Sequence, residues 1–206
     1  MSLELLRHSL ADDALARLRD RHTPTALFRR EARRIGLLLA AEALRTVPSI
    51  EGTVETPLEA ASVRRVGTRV VLVPVLRAGL GLLEPFLELV PEAEVGYLGL
   101  ERDEHTAVAR RYYEKVPADL GDATVFLLDP MLATGGSAVQ AAVALQEKGA
   151  RAIQVVCVVA APEGLAHLEA HVPGTRVVAV ALDRALDERK FILPGLGDYG
   201  DRLHGT

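Results

Sequence analysis

Apolar residues recur along this chain in two rhythms. Between positions 23 and 45 the segment TPTALFRREARRIGLLLAAEALR sets Phe28, Ala32, Ile35, Leu39 and Ala43 three or four residues apart, with arginines mostly on the other faces. One such stripe predicts a helix that buries a single side, with Thr23 or Thr25 and Pro24 at its start. From position 68 the rhythm changes: aliphatic and β-branched runs at 68–75, 93–100, 123–128, 152–160 and 175–182 are separated mostly by helical patterns, with helices expected at 80–90, 137–148 and 163–171. Several of these runs are apolar on both faces, so both must be covered. Strands of that type belong to a parallel sheet between two layers of helices, and the chain reads as an α/β doubly wound domain with a mainly parallel five-stranded sheet. Residues 46–67 are richer in Pro, Gly, Thr and Glu and read as a loop with room for a short hairpin. After 183 the alternation stops, and the tail ALDERKFILPGLGDYGDRLHGT carries glycines at 195, 197, 200 and 205.

Composition narrows the picture. A length of 206 residues allows one well-buried core, and with no linker, repeat or low-complexity tract the whole of 1–206 reads as one domain. The net charge of −4 argues against a general nucleic-acid or anionic-membrane surface, which leaves local charge to decide any anionic partner. The most apolar runs, VVLVPVL and IQVVCVVAA, are strand-length and too short to span a bilayer as helices. The first residues, MSLELLRHSLADD, have charges throughout and lack the apolar centre of a secretory signal, so a cytoplasmic location is expected. Cys157 is the single cysteine, which rules out an intrachain disulfide, and its place inside IQVVCVVAA marks a core thiol rather than a nucleophile.

The candidate chemistry begins in VFLLDPMLATGGS, residues 125–137. An apolar strand ends at Asp129, and after a loop Thr134, Gly135, Gly136 and Ser137 lead into a helical pattern. Unpaired amides and the helix dipole make such a junction a good seat for a phosphate, which glycines allow to come close and hydroxyls can bond. Asp129 at the strand end can accept hydrogen bonds from sugar hydroxyls, so one site could hold both halves of a sugar phosphate. No lysine follows the glycines, which excludes a P-loop, and the dinucleotide fingerprint is missing. On the residues alone, a simple turn with Ser137 as helix N-cap is an equally good reading.

The stretch DPMLATGGS resembles the phosphoribosyl pyrophosphate (PRPP) motif of the type I phosphoribosyltransferases, in the form found in the uracil branch, where Pro130 replaces a second acid. The resemblance implies that Asp129 meets the ribose hydroxyls and that the loop of Pro130, Met131, Leu132, Ala133, Thr134, Gly135, Gly136 and Ser137 closes on the 5′-phosphate. Three further segments match in order. PVLRAGLG is similar to the family's pyrophosphate loop, with Arg77 as the diphosphate ligand and a non-proline cis peptide often present. GYLGLERDEH places Arg102 on a PRPP-contacting arginine of a flap, although Glu101 stands where the family usually has an aromatic; Arg110 and Arg111 rank below Arg102. FILPGLGDYGD resembles the base-binding hood, here 184–206, which makes Ile192, Gly197, Asp198 and Tyr199 uracil contacts and turns Asp198 toward PRPP or its metal. Tyr199 replaces the usual alanine, a change that could narrow the pocket or shift base preference.

The resemblance spans almost the whole chain and implies transfer of the 5-phosphoribosyl group from PRPP to uracil, giving UMP and diphosphate. It implies Mg²⁺ held mainly by PRPP, with no metal ligand assigned directly to the protein, and electrostatic catalysis by Arg77, Arg102 and Asp129 without a serine or cysteine triad. It also implies a homodimer or larger homo-oligomer, with GTP as an effector in some members. Rival readings are a phosphoribosyltransferase for another nucleobase and a PRPP-binding, RNA-binding regulator of pyrimidine genes. His167 and His171, one turn apart, have metal-clamp spacing but read as surface histidines, and Arg29, Arg30, Arg33 and Arg34 read as a solvated or subunit-facing helix surface.

Overall fold

The structure is a computed structural model that describes residues 2–102 and 109–206, with the side chains of 101, 102, 109 and 110 outside the description. In chain order the elements are β1 (Ser2–Leu5), α1 (Ser9–Arg19), α2 (Thr25–Leu44), β2 (Ser49–Glu55), β3 (Ala60–Val66), β4 (Arg69–Leu76) and α3 (Leu80–Leu89). They continue as β5 (Glu94–Val95), β6 (Tyr97–Arg102), β7 (Ala109–Lys115), β8 (Ala123–Leu128), β9 (Met131–Leu132), α4 (Gly136–Glu147), β10 (Ala152–Ala160) and α5 (Pro162–His171). The last are β11 (Arg176–Leu182), β12 (Ala185–Leu186), β13 (Ile192–Leu193) and α6 (Tyr199–His204).

Strands β4, β6, β8, β10 and β11 form the parallel centre of one sheet, in the order β1-β11-β10-β8-β4-β6-β7. It is wider than the five strands expected, because β1 adds a parallel edge beside β11 and β7 an antiparallel edge beside β6. The run at 93–100 breaks at Gly96 into β5 and β6, both beside β4. Residues 46–67 form a two-stranded hairpin of β2 and β3, detached from the main sheet.

Alternation within each strand builds two cores. Val70, Leu72, Phe126, Leu128, Val156 and Val158 point to one face, where α1, α2, α3 and α6 cover them; Val71, Val73, Val125, Leu127, Val155 and Cys157 point to the other, under α4 and α5. This is the two-sided burial that period-2 strands with apolar residues at every position require. Pro24 sits in the N-cap position of α2, and Phe28, Ala32, Ile35, Leu39 and Ala43 all lie on its buried side. The four arginines of α2 hold intramolecular partners: Arg29 donates to the Leu203 and His204 carbonyls, Arg30 and Arg34 pair with the buried Glu31, and Arg33 pairs with Glu88.

Candidate active site

The connection after β4 leads to β6 on one side, whereas the connection after β8 leads to β10 on the other, and β4 and β8 are neighbours with Pro74 opposite Leu128. The chain therefore reverses its direction of travel between these two strands, and the carboxyl ends there splay apart into a crevice. Arg77 follows β4 and Asp129 follows β8, so two polar side chains are delivered to the same mouth. The cleft between them has a volume of about 280 Å³ and is lined by Leu76, Arg77, Asp129, Met131, Ala133, Thr134, Gly135, Gly136, Ser137 and Asp198, among others.

Glycines make the walls thin. Gly135 adopts φ 78° as the N-cap of α4, with no side-chain cap hydrogen bond, so Ser137 lies inside the first turn rather than at the N-cap position. The amides of that turn face a groove with the helix dipole behind them. Thr134 Oγ1 accepts from the Gly136 amide at 3.4 Å. Behind the loop, a Cβ on Gly164 of α5 would lie 2.4 Å from the Ala133 carbonyl oxygen, so the loop rests directly on that helix backbone. Across the cleft, a Cβ on Gly79 would lie 2.3 Å from the Leu128 carbonyl oxygen, and only glycine allows the turn after Arg77 to curl over the end of β8. The Leu76–Arg77 peptide in this turn is cis.

The acid differs from an ordinary surface carboxylate. Asp129 is buried, and burial pushes its pKa up to about 6, opposed only by the Met131 amide donating to Oδ1 at 3.4 Å. Arg77 is half exposed, and its Nη2 contacts Asp201 Oδ1 of α6 at 3.1 Å. Asp198 caps α6, its Oδ1 accepting from the Asp201 amide at 2.9 Å, and it completes the cleft from the hood side.

Of the residues singled out in the sequence, Arg77, Asp129, Met131, Ala133, Thr134, Gly135, Gly136, Ser137 and Asp198 come together in this cleft. Pro130 and Leu132 belong to the same loop but are not among the lining residues, and Ile192 and Gly197 lie in the adjoining tail. The Tyr199 ring turns inward, 5.3 Å from the Phe28 ring and edge-on to it, with its hydroxyl buried and without a hydrogen-bond partner among the described residues. It therefore does not narrow the cleft. Arg102 ends β6, two strands from β8, and its side chain lies outside the described residues, as does that of Arg110; Arg111 pairs with Glu114. Asp201, the partner of Arg77, and Gly164, the support of the loop, were not singled out, although the first belongs to GDYGD and the second to APEG.

Elsewhere, Cys157 is fully buried and burial raises its thiol pKa, in keeping with a core role. His167 and His171 stack with ring centroids 4.4 Å apart on the exposed side of α5. Among the described residues no three His, Cys, Asp or Glu side chains converge to hold a metal. Among the described residues, the carboxylates that line the cleft are Asp129 and Asp198. Two carboxylates suit a hard cation that brings most of its oxygen ligands with it on a substrate.

The family model for uracil phosphoribosyltransferase matches residues 5–206. A uracil phosphoribosyltransferase of Thermus thermophilus is 45% identical over 207 residues, covering 100% of both chains. Among solved structures, a protein from Aquifex aeolicus superposes with a TM-score of 0.93 at 34% identity, covering 99% of this chain and 98% of its own. An adenine phosphoribosyltransferase from Thermoanaerobacter pseudethanolicus, 13% identical with a TM-score of 0.51 over 73% of this chain and 80% of its own, shares the fold.

Proposed function

The chain belongs to the uracil phosphoribosyltransferase family, and on that premise we propose that it transfers the 5-phosphoribosyl group of PRPP to uracil, releasing diphosphate and UMP. The observation that carries this reading is the meeting of a glycine-lined helix start, a buried acid and Arg77 in one cleft at the switch point of the sheet.

Each part has a distinct task. Amides at Gly135, Gly136 and Ser137, with the Thr134 and Ser137 hydroxyls, bind the 5′-phosphate. The Asp129 carboxylate accepts hydrogen bonds from the ribose hydroxyls and so fixes the ring between two ends. Arg77, with Arg102 as a second cation, meets the diphosphate, whose negative charge grows as the bond to the anomeric carbon breaks. Magnesium carried on PRPP oxygens would add charge neutralisation on the leaving group, with Asp129 and Asp198 as the carboxylates available to it. The tail around Ile192, Gly197 and Asp198 presents main-chain donors and acceptors to the pyrimidine, whose ring nitrogen attacks an anomeric carbon held in place. The Tyr199 side chain is spent on the core, so base recognition at that position falls to its backbone.

The test is to incubate the protein with PRPP, Mg²⁺ and one nucleobase at a time and separate the products. UMP from uracil, with no mononucleotide from hypoxanthine or adenine, is the expected outcome; a purine mononucleotide, or no UMP, would overturn the reading. The RNA-binding alternative finds little support, since the arginines of α2 are engaged by carboxylates and carbonyls of the same chain.

A further inference from the structure

The tail that would read the base is held by two arginines, both tied to the carboxyl end of α1. Arg19, the last residue of α1, forms a forked pair with Asp183, Nη2 to Oδ1 at 2.6 Å and Nη1 to Oδ2 at 2.8 Å. The same Nη1 donates to the Gly195 carbonyl at 2.7 Å, and the Gly195 amide donates to Asp183 Oδ2 at 2.9 Å. Both polar groups of one peptide residue are thus gripped by one ion pair. Asp183 is itself fixed, because it follows β11 directly and its amide donates to the Ala160 carbonyl at 2.8 Å. Next along the tail, Arg202 donates to the Leu196 carbonyl at 2.7 Å, to the Asp20 carbonyl at 2.6 Å and to the Leu18 carbonyl, and its guanidinium lies 4.5 Å from the Phe28 ring centroid.

In a trans peptide the N–H points opposite to the carbonyl, so holding the Leu196 oxygen against Arg202 aims the Gly197 amide the other way. Gly197 has φ 78° and no side chain to set its own orientation. The Asp183 side chain is 5% exposed and that of Arg19 25%. A buried ion pair is a poor source of stability, since desolvation offsets its attraction, but its forked geometry fixes direction.

We propose that Arg19 and Asp183 are positioning residues for base recognition, acting through the Gly195 peptide groups to set the main chain that meets uracil. The inference rests on the proposed transfer to uracil and adds a specificity device remote from the phosphate and diphosphate ends. Its test is steady-state kinetics of Arg19→Gln and Asp183→Asn, with Arg19→Lys as a milder variant that keeps the charge and loses the fork. Each should raise KM for uracil about tenfold or more, the scale of a lost charged hydrogen bond, with KM for PRPP within about twofold of the unaltered protein. The double variant should be no worse than the poorer single one, because the pair acts as a unit. Unchanged KM for uracil in folded Arg19→Lys, or an equal rise in both KM values, would overturn the proposal. Failure of the unaltered protein to use uracil would instead remove the parent reading.

Discussion

The Asp129 carboxyl sits at the end of β8 with its pKa pushed up to about 6 by burial, from a usual value of 3.8. Because the folded state holds this proton more tightly than the unfolded chain, the stability it contributes is complete below pH 3.8 and is lost as pH rises through about 6. A shift of this size corresponds to about 3 kcal/mol for a buried group. The ribose contact proposed for Asp129 runs the opposite way, since it needs the ionised carboxylate to accept from two hydroxyls. Asp129→Asn is therefore expected to be more stable than the unaltered protein at pH 8 by about 1–3 kcal/mol, with the difference closing near pH 4, and to lose most turnover. Denaturant melts at the two pH values, paired with UMP assays, check this; a destabilised Asp129→Asn at pH 8 would contradict it. KM for PRPP should likewise rise as pH falls below about 6, and this dependence should flatten in the Asn variant. At Tyr199 the cost is simpler. Its buried hydroxyl has no partner among the described residues, so Tyr199→Phe is expected to raise stability by about 1 kcal/mol, a gain in melting temperature of about 2–4 °C, with KM for uracil unchanged.

Between elements, the loop proposed to hold the phosphate depends on a contact of backbone with backbone. Gly135 and Gly164 face each other so closely that a Cβ on either would lie under 3.0 Å from carbonyl oxygens of the other segment. Gly164→Ala should push the loop at Ala133 into the cleft, raising KM for PRPP more than tenfold at a stability cost of about 1–3 kcal/mol. Isothermal titration with PRPP and a thermal melt separate the two effects, and unchanged PRPP affinity would show that the loop does not rest on α5 as described. The meeting of this loop's residues at one cleft was legible because they are contiguous: Asp129, the two glycines and the hydroxyls lie within nine positions. Its support was not, because Gly164 is distant in sequence and its role appears only when α5 packs against the loop. Tyr199 shows the converse. Its place in the motif says nothing of where the ring goes, and a large ring at the start of α6 gains most from packing on Phe28.

Across the molecule, the central strands and the helices at 25–44, 80–89, 136–147 and 162–171 follow the hydrophobic periodicity closely, since each is long or buried on two faces. The amino terminus carries a weaker pattern. In α1 the buried set Ala11, Ala14, Leu15 and Leu18 does carry helical spacing, but two small alanines make a faint stripe. Strand β1 is four residues long and gains its identity only from pairing with β11 near the other end of the chain. The same closure brings Arg19 to Asp183, 164 positions apart, a separation over which no local pattern operates. The side chain of Arg102 lies outside the described residues, and the proposed site rests on β4, β8, α4 and the tail. Its central claim, that the amides of Gly135, Gly136 and Ser137 hold the phosphorylated end of the sugar, is tested most directly by following backbone amide resonances while UMP is added. The account predicts that these three amides shift most, with Gly197 moving at the base end, and that uracil alone leaves the first group still. Saturating UMP with Gly135, Gly136 and Ser137 unmoved would contradict it.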